Sequence, residues 1–407
     1  MTTVDTVVIG MGSMIGAGIF AALRPAAEAA GAGLLIGLAI AAVIAYCNAA
    51  SSAQLAAVYP ESGGTYIYAG RRLGPFWGYL AGWGFAVGKT ASLAAMALTF
   101  GLYAAPDLGR PLAVAAVVAM TVVNYVGIRK TALVTRLILA VVLASLAAVL
   151  VGALLGGEAN VDHLRDVGRG GAAGILRSAG LLFFAFAGYA RIATLGEEVV
   201  NPTRAIPRAI LLALTLVLVA YGAVAVAALL AVGPEVLAES PAPLAAAVEA
   251  GAFPSLVPAV RAGAAVASLG VLLSLLAGVS RTVFAMARNG EMPGPLAAVH
   301  PRFRTPHRAE LAVALVVGAV VLLADLRDAI GFSSFAVLVY YGLANVSAWT
   351  QPPEQRRWPR IVQVVGVLGC ALLAFTLPPV SVITGLAVLA VGAAAWAILL
   401  RRTTAGP

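Results

Sequence analysis

Apolar stretches of about 20 residues recur from one end of this chain to the other, with only short polar connections between them. The medium open to such a chain is the lipid bilayer. Every backbone N–H and C=O that crosses hydrocarbon must find its partner inside the protein, so the spans are expected to be helices. Only 11% of the 407 residues are charged, against roughly a quarter in soluble domains. The pattern predicts an all-α membrane protein of about 12 transmembrane helices. They are expected near 4–29, 31–57, 74–105, 111–126, 132–155, 172–198, 207–231, 260–288, 309–324, 329–349, 360–376 and 380–400. No connection is long enough to fold alone, so residues 1–407 read as a single transmembrane domain. The outer connection containing PAPLAAAVEA reads as a short helix lying at the membrane surface.

A net charge of +9 raises the question of nucleic acid. The distribution of the charge answers it. With the N-terminus placed in the cytoplasm, Arg71, Arg72, Arg129, Lys130, Arg204, Arg208, Arg302, Arg304, Arg308, Arg356, Arg357, Arg401 and Arg402 all fall in cytoplasmic segments, and the outer segments are poorer in basic residues. This is the positive-inside pattern, and it predicts a multi-pass protein of the cell membrane with both termini cytoplasmic. The partner implied is the bilayer rather than nucleic acid, and the sequence carries no signal of oligomeric state. Cys47 and Cys370 each lie within an apolar span and read as small buried hydrophobes. His163, His300 and His307 sit in connections without ligand spacing, so no metal site is expected. There is no HExxH, no GxSxG and no nucleophile–base cluster at membrane depth, so an enzyme is not expected either.

The first span is interrupted. GMGSMIGAGIF places Gly10, Gly12, Gly16 and Gly18 inside a segment otherwise apolar enough to cross the membrane. Glycine reaches non-helical backbone cheaply, so the helix is expected to unwind there. Non-helical backbone at membrane depth survives only where protein buries it or a wet cavity borders it, which points to a binding site near the midplane. The sixth span, FFAFAGYARIATLGEEV, shows a second interruption at Ala187-Gly188, with Arg191 following and Glu197-Glu198 closing it. Two broken spans five helices apart predict two five-helix repeats of inverted topology, 4–157 for helices 1–5 and 172–350 for helices 6–10. Helices 11 and 12, at 358–400, are appended.

At these residues the chain resembles the amino acid permeases of the amino acid–polyamine–organocation superfamily. GMGSMIGAGIF is similar to that family's first-helix break. ESGGTYIYAGRRLGPFWGYLAGW, from Glu61, resembles its segment between helices 2 and 3. GEEVVNPTRAIPRAI, from Gly196, resembles its helix 6–7 loop, and SRTVFAMARNGEMP, from Ser280, its helix 8 end. The resemblance implies a secondary transporter working by alternating access, with an amino acid, a related amine or a small carboxylate as substrate. A non-transporting membrane sensor or scaffold on the same fold is the alternative.

An amino acid carries a carboxylate beside an ammonium. A half-helix that starts after a break offers free N–H groups and a positive dipole end to the carboxylate. Here those donors are expected at Gly16, Ala17 and Gly18. The carbonyls freed before a break suit the ammonium, and they are expected at Met14 and Ile15, with Phe184 and Ala185 from the sixth span. Gly18 and Gly188 would let a ligand approach the backbone, and Ala187 is counted with them among the substrate-binding residues. Similarity to the family supports the same positions and makes Phe184 the residue that covers the substrate. The competing reading is that the glycines serve close helix packing.

Lys89 lies mid-span, where an ionised lysine costs about 2.5–3.5 kcal/mol on insertion scales, so it is expected to be functional. It reads either as a titrating group that couples transport to protons or as an attractor of an anionic substrate group. Its ammonium is expected near Ser268 or Ser274, between helices 1 and 8, where related folds hold a cation. Sodium held by those serines is the competing account, and no other cofactor is expected. In some relatives a fifth-helix lysine replaces that cation; here Val142 occupies the aligned position. Relatives that carry cationic amino acids have an acidic residue near Gly88-Lys89, and this chain has none there. A substrate neutral or anionic in its side chain is therefore expected. Glu197, Glu198 and Arg288 read as a cytoplasmic gate.

Overall fold

The computed structural model describes residues 3–16, 18–61, 63–127, 132–155, 159–189, 192 and 199–404. Among them all regular structure is helical. Among the described residues nine stretches are long and apolar enough to cross a membrane, and the first, Asp5–Val58, joins two of the expected spans.

The first segment is two helices, α1 (Thr3–Met14) and α2 (Gly18–Ala30), separated by a bend at Ile15 and Gly16. The glycine-rich run breaks the helix where the sequence predicts it. Next come α3 (Leu34–Val58), α4 (Thr65–Leu73), α5 (Pro75–Ala104), α6 (Gly109–Tyr125) and α7 (Ala132–Leu154). α4 was not expected. Its polar, arginine-bearing end hides it from an apolar-span reading, yet Tyr68 and Ala69 are buried. Gly74 at φ 108° separates α4 from α5, a backbone that suits glycine, and Pro75 starts the new helix.

α8 (Gly171–Phe186) tightens into a 3₁₀ turn at Ala187–Tyr189. The sixth span thus breaks at Ala187-Gly188, as the sequence predicts. α9 (Pro202–Glu239) kinks at Gly233, φ 74°, ahead of Pro234. Proline lacks an N–H, which frees the Leu230 carbonyl. His163 Nδ1 lies 3.2 Å from that oxygen and 3.1 Å from Leu229 O, so the loop histidine caps the kink. α10 (Pro243–Glu249) is the short helix of PAPLAAAVEA, and it is packed against the other helices rather than left open. Pro243, Leu244, Ala245, Ala247 and Val248 are buried, and the Leu244 N–H donates to Tyr103 Oη at 3.3 Å. Its alanines let it fit between α7, α9 and α11. α11 (Val257–Arg288), α12 (His307–Leu323), α13 (Leu326–Trp349), α14 (Arg360–Thr376) and α15 (Pro379–Thr404) complete the chain.

Small residues set the spacing of the helices. A Cβ on Gly101 would lie 1.9 Å from Gly109 O, and one on Gly78 would lie 2.8 Å from Gly70 Cα. Packing of this kind holds helices together where lipid removes the hydrophobic drive. The middle of the molecule is built by α2 against α8, with α3 against both, α9 against α2 and α3, and α5 lying against α11 and α13. A polar seam ties α3 to α13. Asn345 donates to Asn48 Oδ1 at 2.6 Å and accepts from Ser51 at 2.6 Å. On α14, the Cys370 thiol donates to Asn48 Oδ1 at 3.3 Å. Both cysteines are buried and free.

Candidate functional site

The two breaks meet. A Cβ on Gly18 would lie 2.7 Å from Ala185 Cα, and one on Gly188 would lie 2.1 Å from Ser13 O and 2.8 Å from Met14 N. Main chain of the first span therefore touches main chain of the sixth at two points, on either side of the bends. At both contacts glycine serves close packing, the competing reading, and the same contacts bring together residues the sequence nominated. Met14, Ile15, Gly16, Gly18, Ala185 and Ala187 are buried; Phe184 is 8% exposed and Gly188 half-buried. Ala17 lies outside the described residues. Gly16 faces Val271 of α11, whose Cγ2 would lie 2.0 Å from a Cβ there.

Breaking a helix frees carbonyls, and buried carbonyls need donors. The sequence assigns four of them, Met14, Ile15, Phe184 and Ala185, to a ligand ammonium. The structure gives three of the four a partner from the protein itself. Tyr221, buried in α9, donates its hydroxyl to Met14 O and to Ala185 O, the latter at 3.1 Å, so one phenol proton bridges both breaks. The Phe184 carbonyl accepts from the Ala187 N–H that closes α8. Tyr341 of α13 donates to Ala187 O at 3.1 Å and stacks on Tyr189, with ring centroids 4.8 Å apart. Tyr221 and Tyr341 escape a reading by periodicity. The signal that could have found Tyr221 is a lone phenol in an otherwise apolar run, since a buried tyrosine hydroxyl seeks an acceptor.

Lys89 also reaches this junction. Its Nζ donates to Ala187 O at 3.3 Å, and the side chain is only 7% exposed. The hydrogen bond that Lys89 makes is to this carbonyl, and the two serines expected near it bond backbone of their own helix. Ser268 donates to Ala264 O at 2.7 Å and Ser274 to Gly270 O at 2.8 Å, each one turn back on its own helix. A serine within a helix readily bonds its own i−4 carbonyl, whereas a freed carbonyl at the sixth-span break is a better acceptor for a buried ammonium. Val142 is buried in α7.

At the ends of α4 and α11 a second polar cluster closes. Tyr66 donates to Glu291 Oε2 at 2.7 Å and accepts from Asn289 Nδ2 at 2.7 Å. These residues come from two of the motifs singled out in the sequence, and the cluster itself was missed because its members lie far apart in the chain. Tyr66 and Glu291 border a cavity of about 150 Å³ that also reaches Arg71 and Tyr79. Burial first, and the Glu291 carboxylate second, push the Tyr66 phenol up to about 12. Burial raises the Glu291 carboxyl, opposed by the Tyr66 hydrogen bond. Arg288, expected in a gate, lies with its guanidinium 5.9 Å from the Phe284 ring centroid. Glu197, Glu198 and Arg191 lie outside the described residues. Among the described residues no group of three or more His, Cys, Asp and Glu could hold a metal.

Residues 5–391 match the model of the amino acid permease family. An uncharacterized transporter of Mycobacterium tuberculosis is 60% identical over 395 residues, covering 97% of this chain and 90% of the relative. A branched-chain amino acid permease of Bacillus subtilis is 26% identical over 95% of this chain and 85% of its own length. Human cationic amino acid transporter 4 is 29% identical over 85% of this chain and 59% of its own length. Broken apolar helices, a polar junction buried between them and these matches lead to one conclusion: this multi-pass membrane chain belongs to the amino acid permease family, and it is a transporter, not an enzyme.

Proposed function

We propose that the protein is a secondary active transporter of amino acids or of related amines or small carboxylates in the cell membrane. The reading has twelve spans with both termini cytoplasmic, halves of inverted topology at 4–157 and 172–350, and helices 11 and 12 at 358–400. The observation that carries it is the contact of the two breaks, Gly18 on Ala185 and Gly188 on Ser13. Backbone freed from helical bonding on both sides of one junction is what a ligand enclosed at mid-membrane would contact. Met14, Ile15, Gly16, Ala17, Gly18, Phe184, Ala185, Ala187 and Gly188 form the site in this reading, and rearrangement of the breaks opens it to either side in turn. The burial of the junction supports a closed, occluding arrangement. Glu197, Glu198 and Arg288 are the proposed cytoplasmic gate.

Lys89 fits a coupling role, because its ammonium bonds the Ala187 carbonyl inside the break. Transport is then driven by protons or by exchange, with sodium at Ser268 and Ser274 as the rival. The relatives' names cover branched-chain and cationic amino acids. A lysine at the junction repels a second cationic side chain and favours substrates that are not dibasic.

Proteoliposomes test the proposal. Uptake of an amino acid or small carboxylate driven by an inward proton gradient or by internal substrate, without sodium, is the expected result, with the driven component lost in Lys89→Met. Uptake that requires sodium and is driven equally in wild type and Lys89→Met would contradict the coupling role. Liposomes that bind substrate but never accumulate it would contradict transport.

A further inference from the structure

A ligand ammonium brings three donors and needs acceptors. At the junction of the breaks the acceptors are largely engaged by the protein. A carbonyl oxygen has two lone pairs. Ala187 O receives both Lys89 and Tyr341, so it is filled. Met14 O and Ala185 O are bridged by Tyr221, and Phe184 O by the Ala187 N–H. Donors, in contrast, remain. Lys89 Nζ uses one of its three N–H bonds on Ala187 O, and the other two have no partner among the described residues. No carboxylate among them lies within 4.0 Å of it either. A buried positive charge bonded to one carbonyl and lacking a counter-charge is costly, and a bound anion removes that cost.

We infer that the junction takes a small organic anion, a substrate with one more negative than positive charge, and that Lys89 is the residue that selects it. The inference rests on the breaks being the substrate site. A neutral zwitterion satisfies Lys89 with its carboxylate, but its ammonium meets carbonyls that each already hold a protein donor, beside a resident ammonium of like charge. An acidic amino acid supplies a second carboxylate. A carboxylate without an amine removes the conflict altogether. The shared chemistry is a net negative charge, and the two sources are separated by experiment.

The test is thermal stabilisation of the purified full-length protein by a panel of matched ligands: leucine, arginine, glutamate and 4-methylpentanoate. A ligand that binds the folded state raises the melting temperature by mass action. Glutamate, 4-methylpentanoate or both are expected to bind at least tenfold more tightly than leucine, with arginine weakest. Glutamate alone identifies acidic amino acids; 4-methylpentanoate alone identifies amine-free carboxylates. Lys89→Met should erase the preference and Lys89→Arg should keep it. Tyr221→Phe, which releases a lone pair on Met14 O and on Ala185 O, should shift the preference towards leucine. Leucine or arginine binding wild type as tightly as the anions would overturn the inference, as would an unchanged preference in Lys89→Met. The wild-type panel decides even if a variant fails to fold. Saturable uptake of zwitterions without any anion preference refutes this inference alone, whereas absence of both binding and uptake across the panel refutes the substrate-site reading beneath it.

Discussion

Gly18 and Gly188 hold the two breaks together through the one atom they lack. A methyl at Gly188 would lie 2.1 Å from Ser13 O, and one at Gly18 would lie 2.7 Å from Ala185 Cα; both neighbours are backbone and cannot turn aside. If Gly18 only let a ligand approach the backbone, Gly18→Val would stop transport while leaving expression near normal. The packing changes the second half of that expectation. Gly18→Val should stop transport and also lower the folded yield, and Gly188→Ala should do the same with a smaller side chain. Fluorescence-detected gel filtration and uptake in one preparation check this. A monodisperse Gly188→Ala protein with wild-type uptake would show that the contact is dispensable. The glycines were legible because backbone conformation is written locally. Tyr221 and Tyr341 were not, because their hydrogen bonds cross between helices and leave no periodic mark. Tyr221→Phe leaves two buried carbonyls without their shared donor and should cost about 1–3 kcal/mol, read as a lower melting temperature.

At the scale of elements, helix ends and seams carry the polar chemistry. The Tyr66–Glu291–Asn289 cluster ties α4 to the end of α11. Glu291 has a raised folded pKa, so its contribution to stability is fully present below the ordinary carboxyl value of 4.5 and is lost as pH rises through the raised value. Tyr66, at about 12, stays a protonated donor throughout. Glu291→Gln removes this titration. The variant should melt higher than wild type at pH 8, and the difference should shrink as the pH falls through the raised value towards the ordinary carboxyl value of 4.5. A difference independent of pH would place the titration elsewhere. The seam between α3 and α13 is different in kind, since its members are neutral. Asn345→Leu takes the acceptor from Ser51 and one of two donors from Asn48 Oδ1 in the interior, and should cost about 1–3 kcal/mol at any pH. Most helix positions were readable from hydropathy alone. α4 was not, because it is short and half polar, and the helix of α10 was readable but not its packing, because its alanines give no signal of burial.

For the whole molecule, the expected class follows from the apolar spans and the membership of the amino acid permease family from the matched sequence. What the sequence could not show is how the nominated site is filled. It offered the freed carbonyls to a ligand, whereas Tyr221, Tyr341 and Lys89 bond three of the junction's carbonyl oxygens, Met14 O and Ala185 O among those offered. The central claim is that substrate is enclosed where the two breaks meet. Phe184, 8% exposed, borders that junction, and the two native cysteines are buried and give little background. The direct measurement is the alkylation rate of Phe184→Cys in proteoliposomes, with and without a saturating transported substrate. The account predicts that transported substrate slows alkylation at least tenfold while a non-transported analogue leaves it unchanged. A variant that still transports, yet is alkylated at the same rate with substrate present, would contradict it.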